Sequence, residues 1–413
     1  MRWKIASLAV VAGLALVAVA TSASGTQKKL DPGVTAKTVH IGGTFPFSGP
    51  AALYAAIPTA ERAYFLWANA HGGVNGRRIQ FTYYDDAYDP SKSVPLTQKL
   101  VEQDKIFADF GSLGTAPIIA TRGYLNKQKV PQVLVASGAD YWAKGAKQYP
   151  WTIGWQPDYP GEARIYAKFI NDHVKQAKIG IFYQNDAYGT DYLNAFKAAI
   201  NDQSKIVAAQ SYDVTATSFT QQVVALKAAG ANTFVLFSTP AATITALVVA
   251  TKIGWHPIEF VNNVSATETF FGLAVKAGAN VDGAITAGYV LDPNDPVQLK
   301  NPGAALAKKI LDTYDGGASI FNTNNIYGLA SAWTFVQALK RAGNPPTRVG
   351  LMKALRTMDY SNNPWLPPGF RVKTTPTDAY PVEQLVLTRY HSTGGAANIG
   401  YFGAFSRTYS NVR

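Results

Sequence analysis

The sequence predicts an α/β protein made of two doubly wound parallel-sheet lobes. Short runs of β-branched and aromatic residues alternate with longer helical patterns, and this alternation is typical of parallel sheets covered by helices. The alternation starts again after Trp155, which indicates a second unit of the same kind. A length of 413 residues is enough for two or three domains.

The first lobe is predicted to place helices between four short strands. Residues 52–70 form the first helical pattern. A second helix begins at Asp89 and Pro90, because aspartate accepts hydrogen bonds from a helix start and proline suits its first turn. A third helix begins at about Thr115. The predicted strands are residues 39–44, 79–84, 106–110 and 132–135.

The second lobe repeats this pattern, and a helical part and a β-rich part follow it. Its predicted strands are residues 179–183, 206–212, 233–237 and 258–261. The helices that follow are predicted at residues 303–314, 324–341 and 347–358. Residues 370–401 are predicted to be β-rich, and their clearest strand is residues 383–389.

The lobe boundaries follow from an ordered crossover at residues 149–157, where no low-complexity linker is present. We expect further crossing segments near residues 290 and 340. The predicted lobes are residues 36–153 plus 290–340 and residues 154–289 plus 341–413.

The N-terminal residues predict a secretory signal peptide at residues 1–20. Arg2 and Lys4 precede an uncharged apolar run, and Ala18-Val19-Ala20 fits a small-residue cleavage site. The run is too short for a good membrane span, although an uncleaved anchor is the alternative. The chain contains no cysteine, so we expect a periplasmic protein that is not a lipoprotein.

Charge and motifs exclude several classes of function. The net charge is +12, but the Lys and Arg residues are scattered in runs no longer than pairs, which favours an anionic ligand and not nucleic acid. Motifs for serine hydrolases, zinc proteases, P-loops and dinucleotide binding are absent. The histidines are isolated in sequence, so we predict no catalysis, no metal site and no cofactor.

Ligands of open α/β sheets bind beyond the carboxyl ends of the strands, which directs attention to the strand-end loops. Residues 111–115 combine glycines, hydroxyls and backbone N–H groups at a helix start, and this arrangement can bind a carboxylate without a cationic side chain. Residues 136–139 form a second small polar loop. The alternative is that these glycines only turn the chain, and that Tyr188 at another strand end only packs.

Several of these segments resemble the type I periplasmic binding proteins, specifically the family around the leucine/isoleucine/valine-binding protein of ABC transporters. The resemblance covers about residues 39–403, and it depends on the order and spacing of the motifs together. These are Phe47-Ser48-Gly49-Pro50 with Tyr54, His71-Gly72-Gly73-Val74-Asn75-Gly76-Arg77, Tyr84-Asp85-Asp86, Asp89-Pro90 and Asn185-Asp186-Ala187-Tyr188-Gly189.

The resemblance implies a Venus-flytrap receptor that closes on a small molecule and presents it to the membrane permease of an ABC uptake transporter. We expect a monomer. The family pattern implies that Thr115 binds the ligand carboxylate and that tyrosines reach in from both lobes. The predicted ligand-binding residues are Tyr54, Thr115, Ser137, Gly138, Ala139, Tyr188, Ser238, Thr239 and Asn263.

One departure from the family pattern concerns the ligand. Amino-acid-binding members place an acid after a second-lobe strand, whereas residues 261–265 contain none and Glu268 is the first to follow. A buried ammonium without an anion is costly. An aromatic or hydrophobic acid therefore fits better than a branched-chain or hydrophobic amino acid, unless Glu268 or Asp186 turns into the site.

Two other functions stay open at this stage. The same fold can serve as a ligand-sensing receptor that feeds a signalling partner. An exported hydrolase is a further alternative, against which the missing nucleophile motif and the isolated histidines argue.

Overall fold

A computed structural model describes residues 30–396 and 400–411, and the predicted signal peptide lies outside the described residues. The N-terminal elements are β1 (Thr38–Phe45), α1 (Ala56–Ala70), β2 (Arg78–Asp85), α2 (Pro90–Glu102), β3 (Ala108–Phe110), α3 (Thr115–Lys127), β4 (Gln132–Val135), α4 (Tyr141–Lys144) and β5 (Thr152–Gly154). The strands form one parallel sheet in the order β2-β1-β3-β4-β5. Asp89 caps α2 by accepting a hydrogen bond from Ser91 N at 2.8 Å, as predicted.

The second lobe begins with α5 and contains a seven-stranded sheet. Its elements are α5 (Tyr159–His173), β6 (Ile179–Gln184), α6 (Ala187–Ala199), β7 (Ile206–Tyr212), α7 (Thr220–Ala228), β8 (Thr233–Phe237), α8 (Pro240–Lys252), β9 (Ile258–Val261), α9 (Glu268–Lys276) and β10 (Ile285–Gly288). The chain continues with α10 (Pro302–Tyr314), α11 (Thr323–Arg341), α12 (Arg348–Leu355), β11 (Asp359–Tyr360), β12 (Val372–Lys373), β13 (Gln384–His391) and β14 (Tyr401–Ser410).

The second sheet has the order β14-β13-β10-β9-β8-β6-β7. Strands β6 to β10 pair in parallel, whereas β13 is antiparallel to both β10 and β14. Antiparallel neighbours can follow each other through a short connection, while parallel neighbours need a crossover. The prediction of two α/β lobes is confirmed, and the two C-terminal strands add an antiparallel edge to the second.

The last helices return to the first lobe. Helix α1 packs against α10 and α11, and α11 packs against α12. The side chain of Arg348 in α12 donates to the carbonyl oxygens of Phe107 at 2.9 Å and Ile106 at 2.7 Å. The predicted boundary at residue 341 is therefore wrong for α12, because this helix satisfies backbone acceptors of the first lobe.

An aromatic cluster fixes the position of β3, the strand that precedes the loop of residues 111–115. Phe110 at the end of β3 lies edge-on to Phe65 of α1, with ring centroids 5.2 Å apart, and 4.9 Å from Phe335 of α11. All three side chains are buried.

Among the described helices, none is both long and apolar enough to cross a membrane.

Candidate functional site

A cavity of about 440 Å³ lies between the two lobes. Segments that follow β1, β3 and β4 line it from the first lobe, and segments that follow β6, β8 and β9 line it from the second. This placement agrees with the rule that ligands of open α/β sheets bind beyond the strand ends. The volume falls within the roughly 300–1,000 Å³ that is usual for small-molecule sites.

Six tyrosines form the aromatic wall of the cavity. They come from both lobes and from the crossing segments, and each is at most 7% exposed: Tyr54, Tyr88, Tyr159, Tyr188, Tyr289 and Tyr327. Burial raises the pKa of every one of these phenols, to about 12 for Tyr159. The wall is therefore neutral at physiological pH, and it offers aromatic faces together with hydroxyl groups.

The two lobes contact each other around this cavity. The ring of Tyr54 lies edge-on to Phe270 of the second lobe, with centroids 6.2 Å apart. The backbone N–H of Asp140 donates to the Asp191 carboxylate of α6 at 2.8 Å. These contacts would be lost if the lobes separated, so the observed arrangement encloses the cavity.

The first polar group of the cavity consists of Gly114, Thr115, Ser137 and Tyr159. Thr115 is the first residue of α3 and lines the cavity, and its Oγ1 lies 2.8 Å from Ser137 Oγ. Hydrogen bonds from the Gly138 backbone and from the Ser137 and Thr115 hydroxyls moderate the burial-raised pKa of Tyr159, so its hydroxyl lies beside them. The group joins hydroxyls to a helix N-terminus, which favours negative charge.

A glycine allows the chain to enter α3 at this point. Gly114 has a φ of +106°, a conformation that side chains rarely adopt. A Cβ atom on this residue would lie 2.5 Å from the ring of Tyr88. The glycine therefore lets Tyr88 pack directly over the start of α3.

The second polar group consists of Gln156, Glu268, Asp292 and Asn324, all of which line the cavity. Gln156 and Asn324 are 7% and 6% exposed, yet neither Gln156 Nε2 nor Asn324 Nδ2 has a hydrogen-bond partner in the protein. Gln156 uses its other end, since its Oε1 accepts from the Tyr327 hydroxyl at 3.2 Å. Buried amide donors without partners are rare, so this end of the cavity is short of acceptors.

The two acids of the second polar group behave as a pair. Burial raises the pKa of Glu268, and the neighbouring Asp292 raises it further. Burial also raises the pKa of Asp292, but hydrogen bonds from Glu268 and from the Asn294 and Phe402 backbones counteract this. The raised pKa of Glu268 and its hydrogen bond with Asp292 favour a proton shared within the pair, and Glu268 also accepts from Thr323 Oγ1 at 3.3 Å.

Cationic side chains are absent from the cavity wall within the described residues. A further acid on the wall, Asp295, has its own donors, because it accepts from Val297 N at 2.8 Å and from Gln298 Nε2 at 3.2 Å. Across residues 30–396 and 400–411, no group of His, Cys, Asp and Glu side chains could hold a metal ion. The cavity can thus bind an anion only through hydroxyls, amides and helix ends.

Another buried acid supports the wall from behind. Glu162 of α5 accepts from the Tyr192 hydroxyl and from the Asn263 backbone N–H, both at 2.7 Å, and it also holds the Asn263 side chain. Burial raises its pKa to about 7, and these hydrogen bonds counteract the rise. Glu162 therefore positions the loop after β9 and does not itself line the cavity.

Five of the nine predicted ligand-binding residues line the cavity: Tyr54, Thr115, Tyr188, Thr239 and Asn263. Ser137 lies behind Thr115 and is hydrogen-bonded to it. The other three are not on the cavity wall: Gly138, Ala139 and Ser238.

Local packing explains why these three residues do not line the cavity. The Cα of Gly138 is covered, since a Cβ there would lie 2.5 Å from the Pro157 carbonyl oxygen and 2.7 Å from Tyr159. Ala139 is buried in the same loop. Ser238 turns its Oγ towards Thr243 at 2.6 Å, and its carbonyl accepts from the Tyr188 hydroxyl at 2.9 Å.

The acidic residue on the cavity wall is not at the position that the family pattern implies. Glu268 reaches the cavity, whereas Asp186 instead caps α6 by accepting from Tyr188 N at 2.9 Å. Six other residues that line the cavity were not predicted from the sequence: Tyr88, Gln156, Tyr159, Tyr289, Asn324 and Tyr327.

Comparison with known proteins assigns the chain to a family. A model described as "Periplasmic binding protein" matches residues 38–395. The chain belongs to this family. Leu/Ile/Val-binding protein homolog 3 of Brucella melitensis is 28% identical over 200 residues, which are 47% of this chain and 52% of that protein. The chain thus spans about half the length of the curated relatives that it matches.

Solved structures share the fold of this periplasmic binding protein. A branched-chain amino acid ABC transporter protein from Thermus thermophilus with bound valine has a TM-score of 0.78 at 17% identity, with 91% of this chain and 97% of that one covered. A solute-binding protein of an ABC transporter from R. palustris with 4-hydroxybenzoate has a TM-score of 0.75 at 18% identity, with 91% and 98% covered. The leucine/isoleucine/valine-binding-like type I fold is therefore confirmed, and family membership implies an extracytoplasmic location.

Proposed function

We propose that this periplasmic binding protein delivers a small carboxylate-bearing ligand with an apolar or aromatic body to the permease of an ABC uptake transporter. The observation that carries the proposal is the cavity itself, which combines a tyrosine wall with the N-terminus of α3 and contains no described cationic side chain. A helix N-terminus with nearby hydroxyls can hold one carboxylate, and the tyrosines can enclose the rest of the molecule.

The lobe arrangement supports binding by hinge closure. Thr115 and Tyr54 come from the first lobe, while Tyr188 and Thr239 come from the second. A ligand that touches both sets stabilises the closed lobes more than the open ones, and this difference drives closure. The same closed form would be the one that the permease recognises.

The ligand could be a simple acid or an amino acid, and each alternative has one observation in its favour. Glu268 reaches the cavity, as an amino-acid site would require, and a similar fold holds valine. Burial and the neighbouring Asp292 however raise the pKa of Glu268, which weakens it as a counter-ion, and a similar fold holds 4-hydroxybenzoate. The polar group at the start of α3 needs only a carboxylate, so we favour the simple acid.

Calorimetric titration of the protein, refolded once to remove carried-over ligand, tests the proposal. The ligands are 3-phenylpropanoate, benzoate, phenylalanine and leucine. We expect an acid to bind and Thr115→Val to weaken it about tenfold to a hundredfold, because a hydrogen bond to a charged group is lost. Thr388→Val removes another hydroxyl from the cavity wall and should leave the affinity unchanged. Absence of binding by every acid would refute the proposal.

A further inference from the structure

The cavity between the lobes is open at the end beyond the second polar group. Most of the described residues that line the cavity are buried or half-buried. Four of them are exposed, and none of the four belongs to the strand-end loops that build the first polar group: Val297, Pro368, Ala404 and Thr408. We call this part of the cavity the hinge-side arm, and its other lining residues are Gln298, Pro367, Phe370, Val386, Thr388 and Ser406.

The chain crosses between the lobes at this end. It leaves the second lobe after β10 towards α10, which packs on α1, and it returns from α12 to β13. The two crossing segments are joined, because Leu291 N donates to the Trp365 carbonyl oxygen at 2.9 Å. In a hinge closure the lobes rotate about such segments. The open end therefore lies at the hinge and away from the faces that close.

A glycine at the end of β10 leaves room between the arm and the rest of the cavity. Gly288 lines the cavity, and a Cβ atom on it would lie 3.4 Å from Thr388 Cγ2 and 3.9 Å from Val386 Cγ1. These are ordinary contact distances, so a side chain at this position would stand directly against two residues of the arm. Its absence keeps the space in front of them free.

The wall of the arm suits an apolar chain. Valine, proline, phenylalanine and alanine side chains make up most of it, and its polar members are neutral. Val297 is 76% exposed at the opening, so it can contact an apolar chain that passes there. Asp295 also lines the cavity nearby, but it already accepts from Val297 N and Gln298 Nε2. A charged distal group would find no described counter-ion in the arm.

We propose that the hinge-side arm holds the distal part of the ligand, so that the closed protein accepts acids whose uncharged body is longer than the space between the lobes. This inference rests on the proposed function and deepens it. The carboxylate stays at the first polar group, and the far end of the molecule leaves through the arm.

Pairs of acids that differ only in length test this inference by calorimetry. The pairs are hexanoate with decanoate and benzoate with 4-pentylbenzoate. In at least one pair we expect the longer acid to bind about tenfold or more tightly, because each buried methylene improves affinity roughly threefold to fourfold. A cavity without the arm would reject the longer acid, since close-packed sites do not accept extra methylenes.

Two variants assign the length preference to the arm. Gly288→Leu and Ala404→Phe fill it from different strands, β10 and β14, so each should bring the affinity ratio of longer to shorter acid close to one. Gly272→Leu on α9 is the matched control, because a Cβ there meets no atom within 4 Å and Gly272 does not line the cavity. Its ratio should equal that of the unmodified protein.

The outcomes separate this inference from the proposed function. Equal or weaker binding of the longer acid in both pairs, with Thr115→Val still weakening the shorter acids, would overturn the arm and leave the carboxylate proposal intact. A length preference that persists in Gly288→Leu and in Ala404→Phe would place the distal chain elsewhere and would also overturn it. If no acid of either length binds, both proposals fail together.

Discussion

The two polar groups of the cavity differ in how the chain assembles them. The first is built mainly from two strand-end loops, with Gly114 and Thr115 after β3 and Ser137 after β4. The second brings together Gln156, Glu268, Asp292 and Asn324, which are far apart in sequence. The first also has its hydroxyls paired, whereas the second has two unpaired donors. We infer that the first group supplies the affinity for a carboxylate.

The largest expected effect comes from blocking the first group at its glycine. Gly114→Val places a branched side chain at a φ of +106° and against the ring of Tyr88. Strain of this kind costs on the order of 1–3 kcal/mol, and displacement of the α3 N-terminus removes the carboxylate site. We expect more than a hundredfold loss of affinity for every acid by calorimetry.

Gly123→Ala in the same helix is the control for this variant. A Cβ at Gly123 meets no atom within 4 Å, and alanine favours helix, so stability should rise by roughly 0.5–1 kcal/mol with affinity unchanged. Thermal unfolding measures this difference. Retained acid binding in Gly114→Val would show that the carboxylate does not lie at the start of α3.

The same contrast explains how much of the site could be predicted from sequence. Thr115, Tyr188 and Thr239 follow strands directly, so the strand-end rule located them. The same rule applied to β5 and β10 indicates Gln156 and Tyr289, which were not considered because those segments were treated only as crossovers. Asn324 and Tyr327 lie on α11, whose approach to the cavity depends on its packing against α1.

The elements of the fold could be predicted for a related reason. The prediction failed where contacts between residues far apart in sequence determine the structure. Alternating strand and helix patterns are local, so most strands and helices were located to within a few residues. The lobe to which α12 belongs depends on the hydrogen bonds from Arg348 to Phe107 and Ile106, more than 200 residues away in sequence. Three residues of the predicted site lie off the cavity wall for a similar reason, because packing such as that of Tyr159 and Thr243 determines which atoms reach the cavity.

A smaller effect is expected from the hydroxyl that the second lobe adds to the first polar group. Tyr159→Phe keeps the ring, which stacks on Tyr192 at 4.4 Å, and removes the hydroxyl beside Thr115 and Ser137. We expect about a tenfold loss of affinity for every acid that binds, since one hydrogen bond to the carboxylate is lost. Calorimetry with these acids measures the loss.

Tyr88→Phe provides the comparison for Tyr159→Phe. The Tyr88 ring packs over Gly114, but its hydroxyl hydrogen-bonds with Gln184, so loss of that hydroxyl should change affinity less. If Tyr159→Phe instead leaves the affinity for acids unchanged, the Tyr159 hydroxyl is not part of the carboxylate site.

The smallest expected effect is a pH dependence of ligand affinity that arises in the second polar group. Burial and Asp292 raise the pKa of Glu268, so the folded protein keeps a proton that the unfolded chain releases at lower pH. The free energy of unfolding therefore falls as pH rises above the unfolded pKa, and the fall ends once pH exceeds the folded pKa. Deprotonation also adds a negative charge near the anionic ligand. We expect acid affinity to fall a few-fold at high pH.

Glu268→Gln tests this pH dependence, because the amide still donates to Asp292 but cannot titrate. Its acid affinity and its melting temperature should vary less, as pH rises above the unfolded pKa of glutamate, than those of the unmodified protein. The first polar group contributes no such dependence, since burial raises the pKa of Tyr159 to about 12 and its other members do not ionise. An unchanged pH profile in Glu268→Gln would place the titrating group elsewhere and remove the electrostatic distinction between the two ends of the cavity.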